Sequence, residues 1–103
     1  MSSPTIAEAG DLRVDLDGHE VSKGGVSIRM TRLETRILYF LVSNAGRVVP
    51  TARLIELAWD YDGGDGFALK THISHIRSKL QLVAGQPGYI NAVQQVGYRL
   101  ETA

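Results

Sequence analysis

The sequence predicts an α+β domain: an antiparallel β-meander, then three helices, then a C-terminal β-hairpin. Three observations carry this reading. Short alternating segments separated by Asp-Gly and Gly-Gly lie between residues 12 and 28. Segments with apolar residues at helical spacing follow from Thr31 to Leu80. Two further strand-like segments flank Gln94-Gln95-Val96 near the end of the chain.

Residues 1–10 open the chain with Ser, Pro and Ala and no periodicity, and are expected to be a flexible tail or linker ahead of a domain over 11–103. Leu12–Leu16, His19–Val21 and Val26–Ile28 are the expected strands, turned at Asp17-Gly18 and Gly24-Gly25. Thr31-Arg32-Leu33-Glu34 has capping-box spacing, Thr hydroxyl to Glu amide and Glu carboxylate back to Thr amide. The helix it opens stacks Leu33, Ile37, Leu38 and Leu41 on one stripe and stops at Asn44-Ala45-Gly46. Arg47-Val48-Val49 reads as a short extended link. A second helix follows Pro50, with Thr51 as N-cap and Leu54, Leu57 and Ala58 inward, ending near Trp59. Residues 60–66 form a loop in which Asp65 caps a third helix running to about Leu80. Leu69, Ile73, Ile76 and Leu80 give that helix one narrow core stripe. A turn at Gly85–Gly88 leads to the hairpin strands Tyr89–Val93 and Gly97–Leu100.

Composition removes several function classes. With 103 residues, one small domain fits and two do not. No cysteine is present, so disulfide scaffolds, thiolate metal sites and cysteine nucleophiles are out. No apolar run approaches the ~18 residues of a membrane span, and MSSPTIAEAG has neither a basic nor an apolar leader region, so no signal peptide is expected. Asp60, Asp62 and Asp65 miss calcium-loop spacing, with Thr71 where the bidentate Glu belongs. Gly63-Gly64 is followed by no phosphate-loop Lys. His72 and His75 are spaced i, i+3, but a third donor would have to be His19 or a distant Asp. No metal and no cofactor are expected. No Ser, His or Asp sits in a nucleophile elbow, so no enzyme is expected.

Net charge is zero but unevenly spread. Residues 1–65 hold 7 Lys/Arg against 10 Asp/Glu, and residues 66–103 hold 4 against 1, so the C-terminal part is cationic. The third helix carries no acid. Opposite its core stripe lie Phe67, Thr71, Ser74, His75 and Ser78, flanked by Lys70 and Arg77 on one side and His72 and Lys79 on the other. A helix entering a major groove needs this pattern: a hydrogen-bonding ridge for base edges between cations for the two phosphate walls. A solvated basic face is the competing reading of the same residues.

Several ordered segments together resemble the C-terminal effector domain of OmpR/PhoB-type response regulators, a winged helix-turn-helix. They are Met30-Thr31-Arg32-Leu33-Glu34, Gly46–Val49, Leu54–Trp59, Thr71–Leu80, Tyr89-Ile90 and Val96–Leu100. The resemblance spans about Leu12 to Leu100. It implies a recognition helix over about 66–80 in the major groove and a wing over about 89–100 at the minor groove of double-stranded DNA. By the same resemblance His72, Arg77 and Thr71 face DNA, and Trp59 and Tyr98 touch phosphate. Trp59 is also expected to pack partly in the core. The loop over 60–65 is implied as a contact to RNA polymerase. The resemblance further implies a preceding receiver domain where the parent chain is longer, dimerisation on DNA, and a cytoplasmic place in a two-component system. This sequence departs from the family at His75 and Phe67, where Arg is common. It departs again at Ala92-Val93-Gln94-Gln95, where the wing commonly carries Thr-Val-Arg-Gly. The expected function is therefore sequence-specific DNA binding for transcriptional regulation, through Trp59, Lys70, Thr71, His72, Ser74, His75, Arg77, Ser78, Lys79, Gln94 and Tyr98, with weakened or altered contacts. The alternative is a winged-helix module that has lost DNA contacts and docks a protein.

Overall fold

A computed structural model describes residues 5–59 and 64–102. The order is β1 (Ile6–Ala9), β2 (Leu12–Asp15), β3 (Glu20–Lys23), β4 (Val26–Ile28), α1 (Arg32–Ser43), β5 (Val48–Pro50), α2 (Thr51–Trp59), α3 (Gly66–Lys79), β6 (Ile90–Val93) and β7 (Gly97–Leu100). Strands β1 to β4 form one antiparallel sheet in sequence order, and a second sheet runs β5-β7-β6. The architecture is an α+β winged helix-turn-helix: α2 and α3 are the helix pair, and β6–β7 is the wing.

Two expectations about the first half are corrected. Residues 6–9 are not tail but a strand, with Ile6 opposite Asp15 and Ala9 opposite Leu12. The segment Ile6-Ala7-Glu8-Ala9 has little intrinsic strand preference. Its order comes from the β2 ladder and from Ala7, which is buried against the core. Residues 1–4 of the expected tail lie outside the described residues. The turn at Asp17-Gly18 is longer than two residues: the β2–β3 pairing closes at Asp15 and Glu20, and His19 takes a left-handed φ of 56°. The Gly18 amide donates to Asp15 Oδ1 at 2.9 Å, fixing that loop. Gly24-Gly25 does form a two-residue turn, both φ values positive, between Lys23 and Val26.

Helix α1 is the hub, touching β1, β2, α2, α3 and β7. Its capping box is formed: Thr31 Oγ1 accepts from the Glu34 amide at 3.1 Å, and Glu34 Oε1 accepts from the Thr31 amide at 2.9 Å. Ile37, Leu38 and Leu41 are buried as the stripe predicts, while Leu33 is only half-buried.

Val48–Pro50 is not a link but the edge strand of the second sheet, a position that tolerates the missing proline N–H. Helix α2 starts at Thr51 itself, so Thr51 is its first residue and not its cap, and the Thr51 amide donates to Val96 O at 3.0 Å. At the other end of α2, the Arg36 guanidinium donates to Leu57 O at 2.7 Å and Ala58 O at 3.0 Å. A cation on otherwise open carbonyls at a helix C-terminus is a favourable cap.

Asp65 caps α3 as predicted, its Oδ1 accepting from the Ala68 amide at 2.8 Å. Leu69, Ile73, Ile76 and Leu80 are all buried. The helix ends in a Schellman motif with Gln81 at φ 54°: the Gln81 amide reaches Ser78 O and the Leu82 amide reaches Arg77 O. Lys23 Nζ adds a bond to Leu80 O at 2.9 Å, tying β3 to the end of α3.

Candidate nucleic-acid interface

The core stripe of α3 packs inward and presents the opposite face to solvent. Phe67, Lys70, Thr71, Ser74, His75 and Ser78 are all exposed on it. Gln94 is exposed at the wing tip, beside Gln95 at φ 63°. The predicted polar ridge and the wing tip therefore both stand on the surface.

The flanking cations behave differently from one another. Lys70 is exposed and has no ion-pair partner among the described residues. Lys79 instead places Nζ 2.6 Å from Glu34 Oε1. Arg77 donates through Nε (2.9 Å) and Nη2 (2.7 Å) to Ile90 O, with its guanidinium carbon 5.1 Å from the Tyr89 ring centroid. Helical position put Arg77 and Lys79 beside the ridge. It could not show that β6 and α1 come up against those flanks and engage them.

His72 is half-buried, stacked edge-on against Trp59 with ring centroids 5.7 Å apart. Its Nδ1 is buried without a hydrogen-bond partner. Trp59 and Tyr98 are likewise half-buried and pack on the core. The Trp59 indole lies under Gly64, where a Cβ would approach Trp59 Cδ2 to 2.3 Å. Of the loop over 60–65, residues 60–63 lie outside the described residues.

One feature escapes the sequence. Glu34 has the spacing of a cap, yet it is also only 2% exposed and lies against α3. Phe67, which periodicity places on the ridge, is 80% exposed there, a large aromatic with no core to serve. The spacing of Glu34 from the α3 histidines could not be found from one sequence, because it arises from helix packing.

Burial pushes the Glu34 carboxyl up, but the Lys79 ammonium and the Thr31 donors outweigh it and hold it below its ordinary value of 4.5. A depressed carboxyl stabilises the fold above its unfolded pKa, and that contribution is lost as pH falls through the folded value. Stability should therefore stay level down to about pH 5 and decline below it. Glu101 is also held low, chiefly by the Asn91 amide and then by Arg99, and adds to the same decline. Glu34→Gln should lower stability at neutral pH and flatten part of the acid decline, read by denaturant unfolding at several pH values. A parallel profile in wild type and variant would deny Glu34 this role.

Residues 25–100 match the family described as transcriptional regulatory protein, C terminal. The sensory transduction protein RegX3 of Mycobacterium leprae (strain TN) is 35% identical over 101 residues, covering 97% of this chain and 51% of RegX3. This chain thus spans about half the length of that relative. The crystal structure of the DNA binding domain of CpxR from E. coli superimposes with TM-score 0.83 at 28% identity, covering 98% of this chain and 99% of the other. The Klebsiella pneumoniae RstA DNA-binding domain, solved in complex with RstA box, superimposes with TM-score 0.77 at 26% identity, covering 93% and 96%.

Proposed function

This chain belongs to the family of transcriptional regulatory protein C-terminal domains, the OmpR/PhoB-type effector domains, and from that membership we propose that it binds double-stranded DNA sequence-specifically to regulate transcription. The observation that carries the reading is the outer face of α3. It is acid-free and exposed, and it combines Thr71, Ser74, His75 and Ser78 with Lys70 at its edge. Side chains of this kind donate to and accept from base edges in the major groove, while the lysine meets phosphate. Phe67 and the Thr71 methyl add apolar contact for thymine methyl groups. His72, Trp59 and Tyr98 back the interface and touch phosphate at its margin. Arg77 and Lys79 act first within the protein, Arg77 by joining α3 to the wing and Lys79 by closing on Glu34.

The role is binding, not catalysis. Among the described residues no helix is long and apolar enough to cross a membrane, and the reading has the chain act in the cytoplasm. The resemblance to OmpR/PhoB-type effector domains carries three further parts of the proposal: a receiver domain in a longer parent protein, dimerisation on DNA, and contact with RNA polymerase through the loop over 60–65. The length of RegX3, about twice that of this chain, fits the first of them.

The wing supplies the test. Gln94 is neutral and exposed at the tip, and a narrow A·T-rich minor groove concentrates negative potential that rewards a cation. Gln94→Arg should tighten duplex binding and steepen the log–log salt dependence by about one unit. Folding stability should stay within about 0.5 kcal/mol. A folded Gln94→Arg variant with unchanged affinity and slope would put the wing away from DNA and favour a protein-docking module.

A further inference from the structure

The junction of α1 and α3 brings together three side chains that chain order holds apart. Glu34, His72 and His75 each offer one donor atom, and the three donors lie within 4.8 Å of one another. His75 Nδ1 is 3.9 Å from Glu34 Oε2. The two histidines are three residues apart on one flank of α3, their ring centroids 6.2 Å apart. The duties of the Glu34 carboxylate are uneven: Oε1 takes the Thr31 amide and Lys79 Nζ, leaving Oε2 turned toward His75.

We propose that Glu34, His72 and His75 form a binding site for one divalent transition-metal ion of the zinc class. Two imidazoles and one carboxylate are a recurrent three-ligand set for zinc, with a fourth position left to water. The imidazoles select Zn²⁺, Co²⁺, Ni²⁺ and Cu²⁺ over Mg²⁺ and Ca²⁺. Ligands about 2.0–2.1 Å from a tetrahedral ion stand about 3.3 Å from each other. The donors, within 4.8 Å of one another, therefore need to close by up to about 1.5 Å, and His75, exposed on α3, is the side chain with room to do so. His72 Nδ1, buried and without a hydrogen-bond partner, marks an imidazole whose polar capacity the fold alone does not use. Lys79 opposes the ion, because its ammonium already neutralises Glu34. The metal clips the capping end of α1 to the middle of α3.

The experiment is a Co²⁺ titration of the whole chain, followed by visible absorption and displaced by Zn²⁺, with thermal melts alongside. Wild type should bind one ion per chain with the absorption of tetrahedral cobalt. Its melting temperature should rise with Zn²⁺, since the ion binds the folded state. His75→Ala, at an exposed position, should fold normally, weaken binding by about tenfold or more and lose the thermal shift. Glu34→Gln should weaken binding comparably. Lys79→Gln should tighten it several-fold by removing the competing charge. The proposal is overturned if wild type shows no saturable binding below about 1 mM, a concentration worth only about 4 kcal/mol. It is equally overturned if His75→Ala binds as wild type does.

Discussion

Gly97→Ala is expected to cost about 3 kcal/mol and lower the melting temperature by more than about 10 °C. Gly97 is buried at the start of β7, opposite Pro50 of β5. A Cβ there would lie 2.0 Å from Val49 O and 2.8 Å from Pro50 Cα. Both neighbours are backbone, so relief requires β5 to move off β7. That movement disturbs the Thr51–Val96 bond that starts α2 next to the wing. A thermal melt checks the claim. A variant as stable as wild type would show that β5 yields at little cost, and that the second sheet does not set the wing position.

The second large effect belongs to Arg77. Its two bonds to Ile90 O and its position over Tyr89 make it the strut between α3 and the wing. Charge-assisted hydrogen bonds of this kind are worth about 1.5–3 kcal/mol. Arg77→Ala should therefore destabilise the domain by about 2 kcal/mol. Arg77→Lys should restore little, because an ammonium cannot offer the planar fork or stack on the ring as a guanidinium does. Denaturant midpoints measure this directly. An Arg77→Ala protein with wild-type stability and reduced duplex affinity would make Arg77 a DNA contact and not a strut.

The parts of the fold written locally were legible. The Thr31–Glu34 box, the Asp65 cap, the Gly24-Gly25 turn and the α3 core stripe each depend on residues a few positions apart. What escaped was written between distant segments. β1 is ordered by pairing with β2, against its composition, and β5 by pairing with β7. The Schellman end of α3 uses Gln81 where glycine is the usual signal. The candidate interface divides along the same line. Helical periodicity alone gives the exposed ridge from Phe67 to Ser78. The partners of Arg77 and Lys79, and the meeting of Glu34 with His72 and His75, follow only from how α3 lies on α1 and β6.

The proposed contact with double-stranded DNA runs through the outer face of α3 and the wing. Affinity for a random-sequence duplex, measured across salt concentrations, tests it most directly, because each phosphate contact adds about 0.9 to the slope of log affinity against log salt. With Lys70 and neighbouring groups at the phosphates, the slope should be negative and about two or more in size. Lys70→Ala should reduce that slope by about one. A wild-type slope near zero, or a slope that Lys70→Ala leaves unchanged in a folded protein, would place this face away from DNA.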